Sequence, residues 1–298
     1  DNNKVYLNGI RTSGTVYGGS TGLGTANGNE VHLNGATVTG AVIGGAANGT
    51  GNLLSVKGVN RAGKIAGFQK LHFDATGVAA GQRMLTITDT ANRTAFDWNA
   101  LTATGTARGI DLIHHEYGIN LWGYTAGSVK SALSADGKSE YDMEAVEAGG
   151  TVKRLAYNSY RFKDARTAET VGGNTWGGRS VAGNTTTGNE ITVTSGTHNV
   201  VYGGWTRGAS SQTATADKGN STDNKVTVDG TATVNGNVYG GMTTVAGGKA
   251  SNNVVTINKG VTLNGHGYVY GGSTDDGSSA DNNKVYLNGI RTSGTVYG

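Results

Sequence analysis

The stretch DNNKVYLNGIRTSGTVYG, residues 1–18, recurs letter for letter as residues 281–298. In looser form the same unit reads Asn-x-Val-x-Leu-x-Gly, a few polar residues, Gly-x-Val-Tyr-Gly-Gly, then a loop of small residues. It starts at Asn3 (NKVYLNG…TVYGG), Asn29 (NEVHLNG…AVIGG), Asn189 (NEITVTSG…VVYGG), Asn224 (NKVTVDG…NVYGG), Asn253 (NVVTINKG…YVYGG) and Asn283 (NKVYLNG…TVYG). The steps from Asn3 to Asn29, Asn189 to Asn224, Asn224 to Asn253 and Asn253 to Asn283 are 26, 35, 29 and 30 residues. Self-similarity at such a spacing is the mark of a solenoid.

One unit can be read residue by residue. Val5 and Leu7 alternate with Tyr6 and Asn8, and Val226 and Val228 with Thr227 and Asp229. This two-residue period marks short strands with one buried face. Gly9, Gly35, Gly230 and Gly265 follow such runs and permit the positive-φ corner that ends each strand. Val16-Tyr17 reads as a second short strand, closed by Gly18-Gly19. No helix signal lies between the strands. A unit of this size has too few inward aliphatic side chains to stand alone, so coils must stack. Stacking aligns Asn3, Asn29, Asn189, Asn224, Asn253 and Asn283 as a ladder of bridging amides. It also predicts a parallel stack of Tyr17, Tyr202, Tyr239, Tyr270 and Tyr297, whose first reading is packing. The expected fold is all-β, a right-handed parallel β-helix (solenoid) with an irregular β-rich central insertion. A left-handed helix would show a six-residue period, and none is present.

Three regions are expected. VYGG-type coils fill residues 1–51 and 171–298. Between them, 52–170 reads as an irregular β-rich section of the same rod, either irregular coils or an antiparallel β insertion. Within it Leu53, Leu54 and Val56, then Ile65 and Phe68, then Leu71 and Phe73 still read as strands. The run KSEYDMEAVEAGGTVKRLAYNSYRFKD predicts a hairpin with Gly149-Gly150 at or near its turn, in preference to a short helix over residues 141–147.

Composition narrows the class further. Gly is 52 of 298 residues, roughly 17% against a usual ~7%. Pro is absent, which excludes collagen. The periodic aliphatics argue against disorder. Charged residues are 15%, the net charge is +3 and there is no Cys. The surface therefore relies on amides and hydroxyls, no disulfide framework exists, and nothing concentrates enough positive charge for nucleic acid. A chain without Cys suits export in the unfolded state across an outer membrane. No apolar run reaches ~18 residues, so no membrane span is expected in this segment. The opening Asp1-Asn2-Asn3-Lys4 reads as a fragment or a processed piece.

The N-x-V-x-L-x-G…V-Y-G-G units resemble the passenger regions of large autotransporter adhesins of diderm bacteria. GKIAGFQKLHFD, MLTIT and GIDLIHHEYGINL look like the non-repetitive element that interrupts such passengers, so the resemblance spans essentially the whole chain. It implies display at the cell surface, a β-helical stalk, and an adhesive or structural role. It brings no catalytic residue and no cofactor.

Candidate sites are few. His114-His115-Glu116 holds the only adjacent His pair, but strand neighbours point to opposite faces, so both rings cannot serve one metal ion there. Gly22-x-Gly24-x-x-x-Gly28 lacks the third glycine of a dinucleotide fingerprint and reads as a corner loop. Asp136, Glu140, Asp142, Glu144 and Glu147 read as a solvated acidic face, with weak calcium binding as the alternative. The basic aromatic run Lys153, Arg154, Tyr157, Tyr160, Arg161, Phe162 and Lys163 is a candidate contact for glycans or anionic polymer; the competing reading is a strand with one core face. Trp176 and Trp205, flanking glycines, are the expected exposed aromatics. A polysaccharide-cleaving β-helix needs converging carboxylates, and on the repeat strands Asp229 stands nearly alone, so no catalytic residue is assigned. The expected role is structural, a stalk or filament module with a period of 280 residues (281 less 1) that stacks on itself. An adhesin for glycans or a host surface protein is the alternative.

Overall fold

The computed structural model describes residues 1–21, 24–265, 267–275 and 278–298. Gly22, from the glycine spacing above, lies outside the described residues. Asn2 (φ 58°), Gly28 (63°) and Gly51 (71°) precede Asn3, Asn29 and Asn52; Gly188 (67°), Asp223 (57°), Asn252 (59°) and Asn282 (57°) precede Asn189, Asn224, Asn253 and Asn283. Only Gly, Asn and Asp enter this left-handed region at little cost. The dipeptide therefore bends the chain and delivers an asparagine at the start of each coil's first strand. Gly9, Gly35, Gly230 and Gly265, with φ of 63°, 66°, 60° and 66°, end those strands as expected.

The chain forms two compact units, residues 1–159 and 160–298. Nearly every described element is a strand, and the stacked parallel strands form a β-solenoid with about 11 turns in all. The exception is a 3₁₀ turn at Trp98–Ala100, whose Asp97 carboxylate accepts from the Asn99 N–H.

In the first unit, one parallel sheet runs Lys4–Asn8, Glu30–Asn34, Leu53–Lys57, Lys70–Asp74 and Leu101–Thr104. The register stacks Val5, Val31, Leu54, Leu71 and Leu101 in one inward column. Leu7, Leu33, Val56, Phe73 and Ala103 form a second. A second sheet carries Thr37–Ile43, Asn60–Ala66, Arg83–Ile87 and the long Arg108–Trp122 strand. Parallel coils thus continue well past residue 51, the expected boundary. Inward alternation and corners define a coil, and both persist after the VYGG segment is lost.

Regular coiling ends at the Arg108–Trp122 strand. Its outer edge pairs antiparallel with Val152–Arg161, followed by Ser139–Glu147 and Val129–Leu133. Gly149 and Gly150 form the expected turn, with φ of 62° and 70°. Residues 141–147 lie in a strand, with Tyr141, Met143 and Ala145 facing inward. The antiparallel strands cover an edge that would otherwise display unpaired backbone.

In the second unit, Glu190–Val193, Lys225–Val228, Val254–Asn258 and Lys284–Asn288 stack in parallel. Ile191, Val226, Val255 and Val285 share one column, and Val193, Val228, Ile257 and Leu287 another. Asn174–Ser180, Val201–Thr206, Val238–Thr243, Val269–Thr274 and Val296–Tyr297 form a second parallel sheet. Whereas Gly18-Gly19 close the Val16–Tyr17 strand as expected, here the paired glycines sit inside the strands. Neither adopts positive φ; what requires them is close approach. A Cβ on Gly240 would strike the Gly271 carbonyl oxygen, and one on Gly241 would lie 2.5 Å from the Asn253 Nδ2.

Candidate functional site

The asparagines form one ladder in each unit. In the first, the Asn29 Oδ1 accepts from the Asn3 N–H (3.1 Å) and Nδ2–H (3.0 Å). The Asn52 Oδ1 accepts the same pair from Asn29, at 2.9 and 3.0 Å. In the second, Asn189 donates to Asn224, Asn224 to Asn253 and Asn253 to Asn283, each from main chain and side chain. The remaining Nδ2–H of Asn52, Asn224, Asn253 and Asn283 goes to a main-chain carbonyl. Asn29, Asn52, Asn189, Asn224 and Asn253 are fully buried, so their side-chain and main-chain polar groups need partners. The ladder supplies the side-chain partners, the neighbouring strands take the main-chain carbonyls, and the Gln69 Oε1 accepts from the Asn52 N–H at 3.0 Å. Asn52 was not among the expected members because no VYGG follows it; the Gly51-Asn52 dipeptide was the available signal.

The aromatic stack belongs to the second unit. Successive ring pairs Trp176–Tyr202, Tyr202–Tyr239, Tyr239–Tyr270 and Tyr270–Tyr297 lie 6.2, 5.1, 4.9 and 4.8 Å apart. Their planes are within 3–7° of parallel. Tyr17 is not in this stack, because its register partner is Ile43. Burial pushes the Tyr202 hydroxyl up to about 12 and raises those of Tyr239 and Tyr270 above the ordinary phenol value. The fold favours the neutral phenol, so this stabilisation is complete below the unfolded value of ~10. It is lost as pH rises through about 12. In an ultraviolet phenolate titration, the signal lost on Tyr202→Phe is expected to rise at about pH 12; a lost signal centred on the free-phenol value of ~10 would contradict the stack.

Trp176 is buried instead of exposed. The Arg179 guanidinium carbon lies 4.6 Å from its ring centroid, 4.9 Å from that of Trp205 and 4.9 Å from that of Tyr160. Both tryptophans therefore hold an internal cation in place. Aligning TWGGRS with VYGGWT on their glycines puts Arg179 beside Trp205, the register observed, so that contact was legible.

The basic aromatic run is likewise spoken for. Tyr157 is fully buried against Tyr141, with ring centroids 5.7 Å apart, and burial raises its pKa. The Arg154 Nη1 meets the Asp111 carboxylate at 2.7 Å. The Lys153 Nζ donates to the carbonyls of Glu116 (2.8 Å) and Tyr117 (2.7 Å). The Arg161 Nη2 donates to the Thr167 carbonyl at 2.6 Å, and Phe162 is buried. The strand-with-a-core-face reading describes this segment. His115 is buried: its Nδ1 accepts from the Tyr117 and Gly118 N–H groups, its Nε2 is 3.0 Å from the Thr94 hydroxyl, and burial lowers its pKa. His114 is partly exposed and faces Glu116 at 3.7 Å. Asp142 and Glu144 point outward from one strand while Glu140 is buried. Among the described residues no three His, Cys, Asp or Glu side chains are grouped to hold a metal ion.

One concavity stands out in the first unit. Where the second unit places tyrosines, the equivalent column runs Tyr17, Ile43, Ala66. The smaller side chains leave a groove of about 550 Å³. Ile43, Ala66 and Phe68 line its floor, with Lys64, Arg93 and Asp97 beside them, and Trp122 stands at its edge, 67% exposed. Trp122 sits in the register of Asp97 at the end of a long strand; sequence reading had passed over it. No helix among the described residues is long and apolar enough to cross a membrane. No family model matches the chain, and no curated protein or solved structure was found to match it.

Proposed function

We propose that this chain is an extracellular structural repeat module of a bacterial surface stalk or filament, repeating every 280 residues (281 less 1). The observation that carries the reading is the buried amide ladder, held in register from coil to coil. Such stacking grows in one dimension by adding coils, which is what a spacer requires. The surface rich in amides and hydroxyls, the absence of Cys and the resemblance to autotransporter passengers support display on a diderm cell. The reading assigns no catalytic step. Asp74 is paired with Lys57 at 3.0 Å and Asp111 with Arg154 at 2.7 Å, so these carboxylates are engaged in holding the coils. Immunogold labelling of intact cells of the source organism with antibody to this chain is the test. Label on the cell exterior, at or beyond the outer membrane, is expected; label confined to the cytoplasm would overturn the reading.

A second reading, an adhesin for glycans, is favoured by the groove beside Trp122. An exposed indole above a polar-edged trough is a stacking platform for a sugar face. Glycan-array binding that falls at least about tenfold on Trp122→Ala, with Trp205→Ala unaffected, is expected on this reading. Binding that survives Trp122→Ala would remove it.

A further inference from the structure

The groove beside Trp122 lies where the first unit's second sheet comes apart. Asn60, Arg61 and Ala62 pair with Leu85, Thr86 and Ile87, but Lys64, Ile65 and Ala66 are paired only on their other side, with Ala41, Val42 and Ile43. The Thr94–Asp97 strand pairs only with Ile119–Trp122. Two strand edges without a strand partner among the described residues, at 64–66 and 94–97, therefore contribute to one groove. Backbone N–H and C=O groups left out of a ladder must find hydrogen bonds elsewhere. A ligand carrying hydroxyls, each both donor and acceptor, suits both kinds of group.

Charge on the lining narrows the class. The Lys64 ammonium is exposed, and no ion pair or hydrogen bond among the described residues engages it. Arg93 is also exposed, and its guanidinium donates to neutral groups, the Asn120 Oδ1 at 3.5 Å and the Thr151 hydroxyl at 3.0 Å. Elsewhere in the unit Lys4, Lys57 and Arg154 meet carboxylates at 3.0, 3.0 and 2.7 Å. The one carboxylate in the groove lining, Asp97, accepts from the Asn99 N–H at 2.9 Å, which ties it to its own turn. The groove thus combines an apolar floor, an exposed indole and two cations that lack a carboxylate.

We propose that this groove takes a hexuronic-acid saccharide, with a ring face against Trp122 and the apolar floor and the carboxylate held by Lys64 and Arg93. The proposal rests on the saccharide reading of the groove given above and names its sugar. A uronate ring with all its substituents equatorial carries hydroxyls and carboxylate around its rim and leaves both faces as bare C–H. The faces match the indole and the floor, and the rim reaches the cations and the open strand edges. Carboxylate on ammonium or guanidinium is the strong class of hydrogen bond. Asp97 limits how much charge the groove accepts. A densely sulfated chain would bring further anions against it, and like charges set side by side are costly.

Isothermal titration of the 298-residue chain with β-linked triglucuronate and with cellotriose, its carboxyl-reduced form, tests this. Triglucuronate is expected to bind at least about tenfold more tightly. Lys64→Gln is expected to bring the two sugars within about threefold of each other without changing cellotriose binding, and Lys64→Arg to keep the preference. Added salt should weaken triglucuronate alone. Equal binding of the two sugars, or a preference that survives both Lys64→Gln and Arg93→Gln, would overturn the inference and leave the saccharide reading standing. Binding of neither would also overturn it, and the glycan array then decides the saccharide reading separately. Trp122-dependent binding of octaglutamate in place of triglucuronate would overturn it in favour of an extended peptide added to the open edges.

Discussion

Asn224→Ala is expected to destabilise the second unit by on the order of 3–5 kcal/mol, because it strands several buried groups at once. The Asn189 N–H and Nδ2–H lose their acceptor, and Asn253 loses the side-chain donor to its Oδ1. Asn224→Asp keeps the shape and the acceptor but sets a carboxylate against the Asn253 Oδ1 and the Thr186 carbonyl, where Nδ2–H had donated. Those neighbours disfavour the charged form, so the folded-state pKa of the new acid lies above its unfolded value of ~4. The added penalty is absent below that pH and grows as pH rises through the folded-state value. Urea unfolding at pH 7 and at low pH measures both effects. The exposed pair Asn264–Asn235, 2.9 Å apart, is the comparison; Asn264→Ala should cost less than about 1 kcal/mol. Equal, small losses at Asn224 and Asn264 would mean that the ladder contributes little.

The second large effect is expected at the paired glycines. Gly241→Ala places a Cβ 2.5 Å from the Asn253 Nδ2 and 2.7 Å from the Ser221 carbonyl oxygen. Neither can retreat: Asn253 is fully buried and its Nδ2 already donates to that carbonyl and to the Asn283 Oδ1. Overpacking of this kind costs ~1–3 kcal/mol, and displacing the ladder amide adds a lost hydrogen bond, for a total of about 3 kcal/mol. Gly14→Ala is the control, since its nearest neighbour would be the Thr12 hydroxyl at 3.7 Å and its φ is ordinary. That change should be neutral or slightly stabilising. Thermal or urea midpoints compare the two. A Gly241→Ala protein as stable as Gly14→Ala would show that the Val-Tyr-Gly-Gly strands are packed less closely than described.

Much of this organisation was legible before the structure. Alternation at Val5 and Leu7, positive-φ glycines after the strands and a spacing near thirty residues identify stacked coils. The ladder members Asn3, Asn29, Asn189, Asn224, Asn253 and Asn283 were also readable, because a buried amide can be satisfied by its own counterpart in the next coil. Other features were hidden in longer-range geometry. Asn52 and the coils after it lack VYGG, yet their inward columns persist. The hairpin turn at Gly149-Gly150 was readable, but the pairing of Val152–Arg161 with the distant Arg108–Trp122 strand depends on which edge needs covering. Of the two contacts that occupy Arg179, the one with Trp205 was readable from the glycine alignment and the one with Trp176 was not. Trp122 matters only because Ile43 and Ala66 stand in the register column where tyrosines stand elsewhere.

Coil-on-coil register is most directly tested by cross-linking. The chain has no Cys, so introduced pairs are unambiguous. Lys225 and Val254 are 29 residues apart and directly paired in parallel, at a Cα spacing of ~4.8 Å that a disulfide spans. Lys225→Cys with Val254→Cys should oxidise nearly completely under native conditions and not in urea, whereas Lys225→Cys with Thr262→Cys should not. Rapid bridging of the 225–262 pair, or none of the 225–254 pair, would contradict a stacked solenoid.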